Sequence, residues 1–420
     1  MHHFHYREGQ LLAEEVPLSL IAEEVKTPCY VYSRATLTRH FHAFDNAFAG
    51  LEHLICYSVK ANGNLALLKL MADYGAGADV VSGGELFRAL RAGVPAERIC
   101  FSGVGKTEAE MVQALEAGIL MFNVESLAEL ERLNAVAGRL GRRAPVAVRV
   151  NPDVDPRTHP YISTGLKKNK FGLDPETALK AYDLIGQSEH LEAAGIDCHI
   201  GSQVTELSPF VDALKRLKLL IRRIEDLGLK LRYLDLGGGL GINYNDEEPP
   251  QPLEYATALG QELKGLNVTL ILEPGRVIVG NAGLLLTKVL YLKQTPVKRF
   301  VVVDAAMNDL VRPSLYGAYH EITPLRPREG MLEVADVVGP ICESTDFLAQ
   351  DRPLPPLEAG DVLAVMSAGA YGFSMSSNYN ARGRAAEVMV SGREYAVIRA
   401  RETHEDLIRG EAVPRFLERD

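Results

Sequence analysis

Between residues 54 and 273 the chain repeats one pattern: a short apolar, β-branched run, then a stretch with helical spacing, then another such run. Strands joined only through helices must run parallel, because a tight hairpin cannot connect parallel neighbours. The runs are Leu54–Val59, Ala78–Val81, Ile99–Ser102, Leu120–Val124, Val146–Val150, Gly195–His199, Tyr233–Leu236 and Thr269–Leu272. Eight such units predict a (β/α)8 TIM-like barrel, placed at residues 31–283 with its flanks. The helix ends are legible too. Thr107-x-x-Glu110 and Ser126-x-x-Glu129 read as capping boxes, and Asp174-Pro175 reads as an N-cap followed by proline in the first turn. Leu214, Leu217, Ile221 and Ile224 recur at helical spacing before Gly228, as expected of an outer helix.

After residue 283 the pattern changes. Strand-like runs at Leu284–Leu292, Phe300–Asp304, Leu332–Val338, Val362–Met366, Ala386–Val390 and Ala396–Arg399 follow one another with little helix between them. They predict a C-terminal antiparallel β domain over 284–420, joined by residues 1–30, with the proline-rich stretch Asp351–Gly360 read as a loop. A chain of 420 residues is too long for one ordinary core, which fits this division. The net charge of −10 disfavours nucleic acid and anionic membranes as partners and points to a small molecule. No apolar run is long enough to span a bilayer, and the start Met-His-His-Phe-His lacks a signal-peptide core, so a cytoplasmic location is expected. The five cysteines form no C-x-x-C pair and are read as free thiols, four of them (Cys29, Cys56, Cys100 and Cys198) as small buried hydrophobes. His2, His3 and His5 have no further ligand to join them, and no metal site is expected.

A barrel of this kind does its chemistry at the C-terminal ends of its strands, and polar residues gather there. The first strand leads to Lys60; the second carries Asp79 and opens into Ser82-Gly-Gly-Glu85; the fifth carries Arg149 and Asn151. The sixth leads to His199-Ile-Gly-Ser-Gln203, the seventh to Gly237-Gly238-Gly239, and the eighth to Glu273-Pro-Gly275-Arg276. A lysine amine at a barrel rim can form a Schiff base with a carbonyl. Three consecutive glycines let backbone approach an anion, and phosphate sites recur near strands seven and eight. Together with the Glu273 carboxylate, these groups suit a phosphate-bearing cofactor whose ring nitrogen needs an acidic partner, as pyridoxal phosphate does.

These residues stand in motifs that resemble the fold-type III pyridoxal-phosphate amino acid decarboxylases, whose barrel is of the alanine racemase/ornithine decarboxylase type. The motifs are Tyr57–Asn62, Asp79 to Glu85, Arg149-Val-Asn-Pro, Lys170-Phe-Gly, His199-Ile-Gly-Ser, Gly237–Gly239, Glu273-Pro-Gly-Arg, Arg312-Pro-Ser-Leu-Tyr316, Gly339-Pro-Ile-Cys-Glu-Ser344, and Gly369-Ala-Tyr-Gly with Asn378-Tyr-Asn-x-Arg382. Ten short motifs in order make the resemblance specific. It implies that Lys60 is the Schiff-base lysine, that His199 stacks on the cofactor ring, and that Glu273 pairs with the ring nitrogen. Asp79, Ser202, the glycines 237–239, Gly275, Arg276 and Tyr371 would complete the cofactor site.

The resemblance also implies a homodimer with shared active sites, in which Cys342 comes from the second subunit and protonates the carbon that has lost carbon dioxide. A free thiol, with an ordinary pKa of ~8.5, suits that step near neutral pH. Glu343 follows the cysteine where decarboxylases of simple diamines carry Asp, a pattern that goes with meso-diaminopimelate as substrate and L-lysine as product, the last step of lysine biosynthesis. Such a substrate has an amino acid head at both ends. Arg276, Arg312 and Tyr316 could hold its distal carboxylate and Glu343 its distal ammonium. A decarboxylase of D-lysine, D-ornithine, ornithine or arginine, and a non-catalytic binding protein of the same fold, remain the competing readings. The segment Asp153–Lys170 is expected to be a mobile loop whose function stays open.

Overall fold

The computed structural model describes residues 2–155 and 170–417. The chain divides into two compact units, Leu37–Gly280 and Met1–Thr36 with Asn281–Asp420.

In the first unit eight parallel strands close into a barrel: His53–Ser58, Gly77–Val80, Ile99–Phe101, Met121–Val124, Ala144–Arg149, Leu191–Asp197, Tyr233–Asp235 and Thr269–Leu272. Each matches one of the runs read from the sequence. Closure comes where Leu270–Leu272 pairs with His53–Ile55, which leaves no open edge. Seven outer helices connect consecutive strands among the described residues. The longest, Ser208–Asp226, buries Leu214, Leu217, Ile221 and Ile224 on one face, the stripe its spacing predicts. Thr107 and Glu110 form a full capping box, and Asp174 caps the helix that Pro175 begins. At Ser126 only half of the expected box forms. Its hydroxyl accepts from the Glu129 amide, but the Glu129 carboxylate turns to the Glu125 amide and the buried ammonium of Lys106 instead. A buried lysine must be paired, and that demand outweighs a reciprocal cap at a half-buried helix end.

The second unit is a sheet with strand order Phe347–Leu354, Glu333–Val338, Arg299–Val303, Gly283–Gln294, Cys29–Ser33, Ala386–Ser391 and Glu394–Arg399, with Val362–Val365 paired to Gly283–Gln294 and Ile322–Pro324. The sheet is mixed, not purely antiparallel as expected. Arg299–Val303 runs parallel to Glu333–Val338, and Cys29–Ser33 runs parallel to Ala386–Ser391. The first pair is linked by a long crossover and the second joins distant parts of the chain, so no hairpin dictates their direction. The stretch from Asp351 is also not all loop: the strand continues to Leu354, and as the outermost strand of the sheet it tolerates Pro353. Phe4, Leu11, Val16 and Ile21 from the N-terminal segment share a core with Val31, Leu284, Leu286 and Val388. The four cysteines read as buried are buried, and Cys342 is exposed. No helix among the described residues is long and apolar enough to cross a membrane.

Candidate active site

The barrel positions its polar side chains through strand register. Ser58 and Asp79 are Cα partners on neighbouring strands, and Lys60 follows Ser58 in the short 3-10 turn Val59–Ala61. The Lys60 ammonium donates to Asp79 Oδ2, and Ser58 Oγ donates to the same oxygen at 2.8 Å. Asp79 is fully buried. Burial alone would raise its pKa, but the Lys60 charge and the hydrogen bonds from Lys60, Ser58 and Ser102 outweigh it and hold the carboxyl below its usual range. Asp79 therefore stays ionised and keeps the Lys60 amine at the rim.

Beneath the rim lies a layer of buried polar groups, one near the end of several strands. Asn123 Nδ2 donates to Ser102 Oγ at 3.1 Å and to Asp235 Oδ2 at 3.2 Å. Arg149 reaches Glu125 at 3.0 Å and lies 3.8 Å from Asp197. Burial, with the Arg149 charge opposing it, lifts Asp197 to about 7. Glu273 is buried as well. Burial and the nearby carboxylates of Asp79 and Asp197 push its pKa well above the carboxylate range, while one of its oxygens, Oε1, has no hydrogen-bond partner. An orphaned, easily protonated carboxyl in the barrel mouth is what a ring nitrogen would satisfy and ionise, and in this respect the residues fit a pyridoxal cofactor.

The glycine run is equally constrained. A side chain on Gly238 would place its Cβ 2.2 Å from the Glu273 carbonyl oxygen, and one on Gly239, whose φ is +113°, would lie 2.3 Å from the Gly201 carbonyl oxygen. Only glycine fits this passage between the sixth and eighth strands. His199, two residues beyond the sixth strand, accepts from the Gly238 amide through Nδ1 at 3.2 Å, so its hydrogen sits on Nε2. Burial first, then the charges of Arg149 and Lys60, depress its pKa and keep the ring neutral. Ser202 Oγ accepts from Arg276 Nη2 at 3.0 Å, and Arg276 Nη1 donates to the Tyr244 hydroxyl at 2.7 Å. Gly275, at the start of Arg276–Val279, leaves no room for a Cβ, which would lie 2.8 Å from the Ala61 side chain. Lys60, Asp79, His199, Ser202, the three glycines, Glu273, Gly275 and Arg276 are thus all carried by the barrel unit.

Arg312, Tyr316, Cys342, Glu343 and Tyr371 belong to the other unit. Arg312 and Tyr316 bracket a short helix ended by Gly317 in the left-handed conformation. Ser314 of this helix donates to the Thr345 carbonyl at 2.6 Å and ties it to the turn that carries Cys342 and Glu343. Asp346 holds that turn by accepting from the amides of Ile341 and Met307, both at 2.7 Å. Glu343 is exposed, and the hydroxyls of Thr345 and Tyr379 hold its carboxyl below the usual range. Tyr371 follows the strand Val362–Val365 with a left-handed φ of +55°.

Sequence reading missed the inner layer of Ser58, Ser102, Asn123, Asp197 and Asp235 as part of the site. Its signal was present: a single polar residue near the C-terminal end of otherwise apolar barrel strands. Most of the segment Asp153–Lys170, residues 156–169, lies outside the described residues.

This barrel is the match for a family model described as the pyridoxal-dependent decarboxylase, pyridoxal binding domain, over residues 34–280. The chain belongs to that family of pyridoxal-dependent decarboxylases. Within it, the chain is 56% identical over 404 residues to the diaminopimelate decarboxylase of Vibrio cholerae serotype O1, covering 96% of this chain and 97% of that one. It is 55% identical to the Pseudomonas aeruginosa diaminopimelate decarboxylase, covering 98% and 99% of the two chains. The solved diaminopimelate decarboxylase of Helicobacter pylori complexed with L-lysine superposes with a TM-score of 0.91 at 45% identity, over 93% of this chain and 98% of that one.

Proposed function

We infer that this chain is a pyridoxal-phosphate-dependent carboxy-lyase that converts meso-2,6-diaminopimelate to L-lysine and carbon dioxide. The observation that carries the substrate choice is that the second unit supplies both groups a distal amino acid head needs, a buried guanidinium, Arg312, and an exposed carboxylate, Glu343. A substrate with an amino acid head at its far end needs both. Ornithine, lacking the distal carboxylate, would forgo the charge-assisted bonds that the guanidinium offers it.

When bound, the cofactor supplies an electron sink for the pair left on Cα as carbon dioxide departs. The chain's own residues would divide the work. Lys60 would hold the cofactor's aldehyde carbon covalently, His199 its ring face and Glu273 its ring nitrogen. The amides of Gly239 and Gly275, with Ser202 and Arg276, would hold its phosphate, Gly237 and Gly238 would bring the backbone close to it while their own amides serve Asp235 and His199, and Tyr371 would complete the site. Asp79 holds the Lys60 amine in place whenever it is not engaged. Arg312, Tyr316 and Arg276 would orient the distal carboxylate, and Glu343, next to Cys342 on the second copy, the distal ammonium. Cys342 of a second copy would give its thiol proton to Cα and recover one from solvent. This reading requires a homodimer, which accords with an exposed rather than buried Cys342, and it fits a cytoplasmic enzyme.

The test is carbon dioxide release from meso-diaminopimelate, D-lysine, D-ornithine, ornithine and arginine measured side by side, with L-lysine identified as product. Preference for the first by about a hundredfold or more in kcat/KM is expected, since several charge-assisted bonds depend on the distal carboxylate. Equal rates on ornithine would overturn the assignment.

A further inference from the structure

We propose that His320 is a positioning residue that sets the guanidinium of Arg312 for the substrate's distal carboxylate. His320 is completely buried, and both ring nitrogens are engaged. Nδ1 lies 2.8 Å from the Met366 carbonyl oxygen, and Nε2 lies 2.9 Å from Arg312 Nη1. A carbonyl only accepts and an arginine only donates, so these two partners fix the ring's state. Nδ1 carries the hydrogen, Nε2 presents its lone pair, and the imidazole is neutral. The ring is therefore a one-way link: Arg312 donates to His320, and His320 donates to the main chain.

The backbone is arranged to hold that link. Ile322 is the Cα partner of Val365, and the Met366 amide donates to the Glu321 carbonyl at 2.8 Å, so the strand pairing continues up to the residue beside His320. Arg352 donates to the His320 carbonyl at 2.7 Å, and its guanidinium stacks 3.9 Å from the centre of the Tyr319 ring. Met366 is in turn the last residue before the segment that leads to Tyr371, which begins with Ser367 at a left-handed φ of +56°. Through one imidazole, the position of Arg312 is tied to the frame that carries Tyr371.

The choice of histidine has a physical reason. A carboxylate at this place would fix Arg312 equally well but would also cancel its charge. A neutral acceptor orients Nη1 without itself cancelling the guanidinium charge that an incoming anion would meet. The role is one of orientation, and it rests on the reading of Arg312 as the group that binds the distal carboxylate.

Two substitutions separate the two ends of the link. In His320→Gln the amide oxygen can replace Nε2 as acceptor for Arg312; in His320→Asn the amide nitrogen can replace Nδ1 as donor to Met366, but nothing reaches Arg312. The holoenzymes are titrated with L-lysine and with cadaverine, the same diamine without a carboxylate, and kcat and KM are measured for meso-diaminopimelate. His320→Asn is expected to weaken L-lysine by about 10–100-fold, the loss of one charge-assisted orienting bond, with cadaverine within about twofold. KM should rise with it while kcat changes less, and His320→Gln should recover most of the L-lysine affinity. If both ligands weaken together, or neither does, or the two variants behave alike, the positioning role is overturned. Arg312→Met serves as the reference: if it keeps the preference for L-lysine over cadaverine, the reading of Arg312 has failed; if it loses that preference while His320→Asn keeps it, only the role of His320 has failed.

Discussion

The rim of the barrel and the Cys342 turn of the second unit solve opposite problems. At the rim, charge is anchored on buried partners. Lys60 rests on Asp79, Asp79 on Ser58 and Ser102, and the layer below runs on through Asn123, Asp235, Arg149 and Asp197. These links run between strands and across the barrel, as buried polar groups demand, although Asp79 Oδ1, Asn123 Oδ1 and Asp197 Oδ1 keep no hydrogen-bond partner among the described residues. At the turn the backbone is fastened by Asp346 and by Asn380, which accepts from the Cys342 amide at 2.9 Å, while the side chains of Cys342 and Glu343 stay exposed. The turn is pinned by backbone hydrogen bonds and open where Cys342 and Glu343 project. In the proposed chemistry, one chain would supply the first half and a second copy the other.

The sharpest way to break the comparison is to remove the rim lysine. Lys60→Ala should abolish covalent cofactor attachment, read as the loss of the visible absorbance of the bound cofactor and of the mass fixed by borohydride, with turnover falling by about 10⁴ or more. An unchanged spectrum would sink the role of Lys60. Cys342→Ala should do the reverse: the cofactor spectrum survives, while turnover drops by about 10²–10⁴, the usual size of a lost general acid. Full activity in that variant would remove the thiol from the reaction. Mixing inactive Lys60→Ala with inactive Cys342→Ala probes the second surface directly. Shared sites should regain up to about a quarter of wild-type activity through hybrid dimers, since half of the dimers formed are hybrids with one intact site each; no recovery would place Cys342 in its own chain's site.

How much of this was legible in the sequence follows the same divide. The barrel could be read because its strands and helices carry local periodicity, and Gly238 announced itself because only glycine passes so close to the Glu273 carbonyl. What could not be read depended on partners far along the chain. Glu129 abandoned its capping box for Lys106, 23 residues away. The strand Phe347–Leu354 was masked by Pro353, which only its edge position excuses. His320 carried no signal at all, because the pairing of Ile322 with Val365 that places it beside Met366 has no local imprint. The rim residues were found through motif and strand position, and the layer beneath them was missed because each member is a single polar residue in an apolar run.

The smallest expected effect tests the cost of keeping charge at the rim. Glu85 is half-buried at the start of the helix Gly83–Arg91, where its Oε2 accepts from the Val81 amide at 2.8 Å. Burial lifts its pKa from 4.5 to about 7, against the pull of that hydrogen bond and of Lys60. A raised carboxyl pKa means that the folded chain binds a proton the unfolded chain has lost, so this group's contribution to stability declines as pH rises from 4.5 to about 7. Glu85→Gln keeps an oxygen for the Val81 amide and removes the charge. The thermal midpoints of variant and wild-type holoenzyme should therefore nearly coincide at pH 4.5 and separate in the variant's favour above pH 7, by about 1 kcal/mol for a group that still meets some solvent. A gap of the same size at both pH values would mean that packing, not ionisation, sets the difference, and the rim would then hold Glu85 at no electrostatic cost.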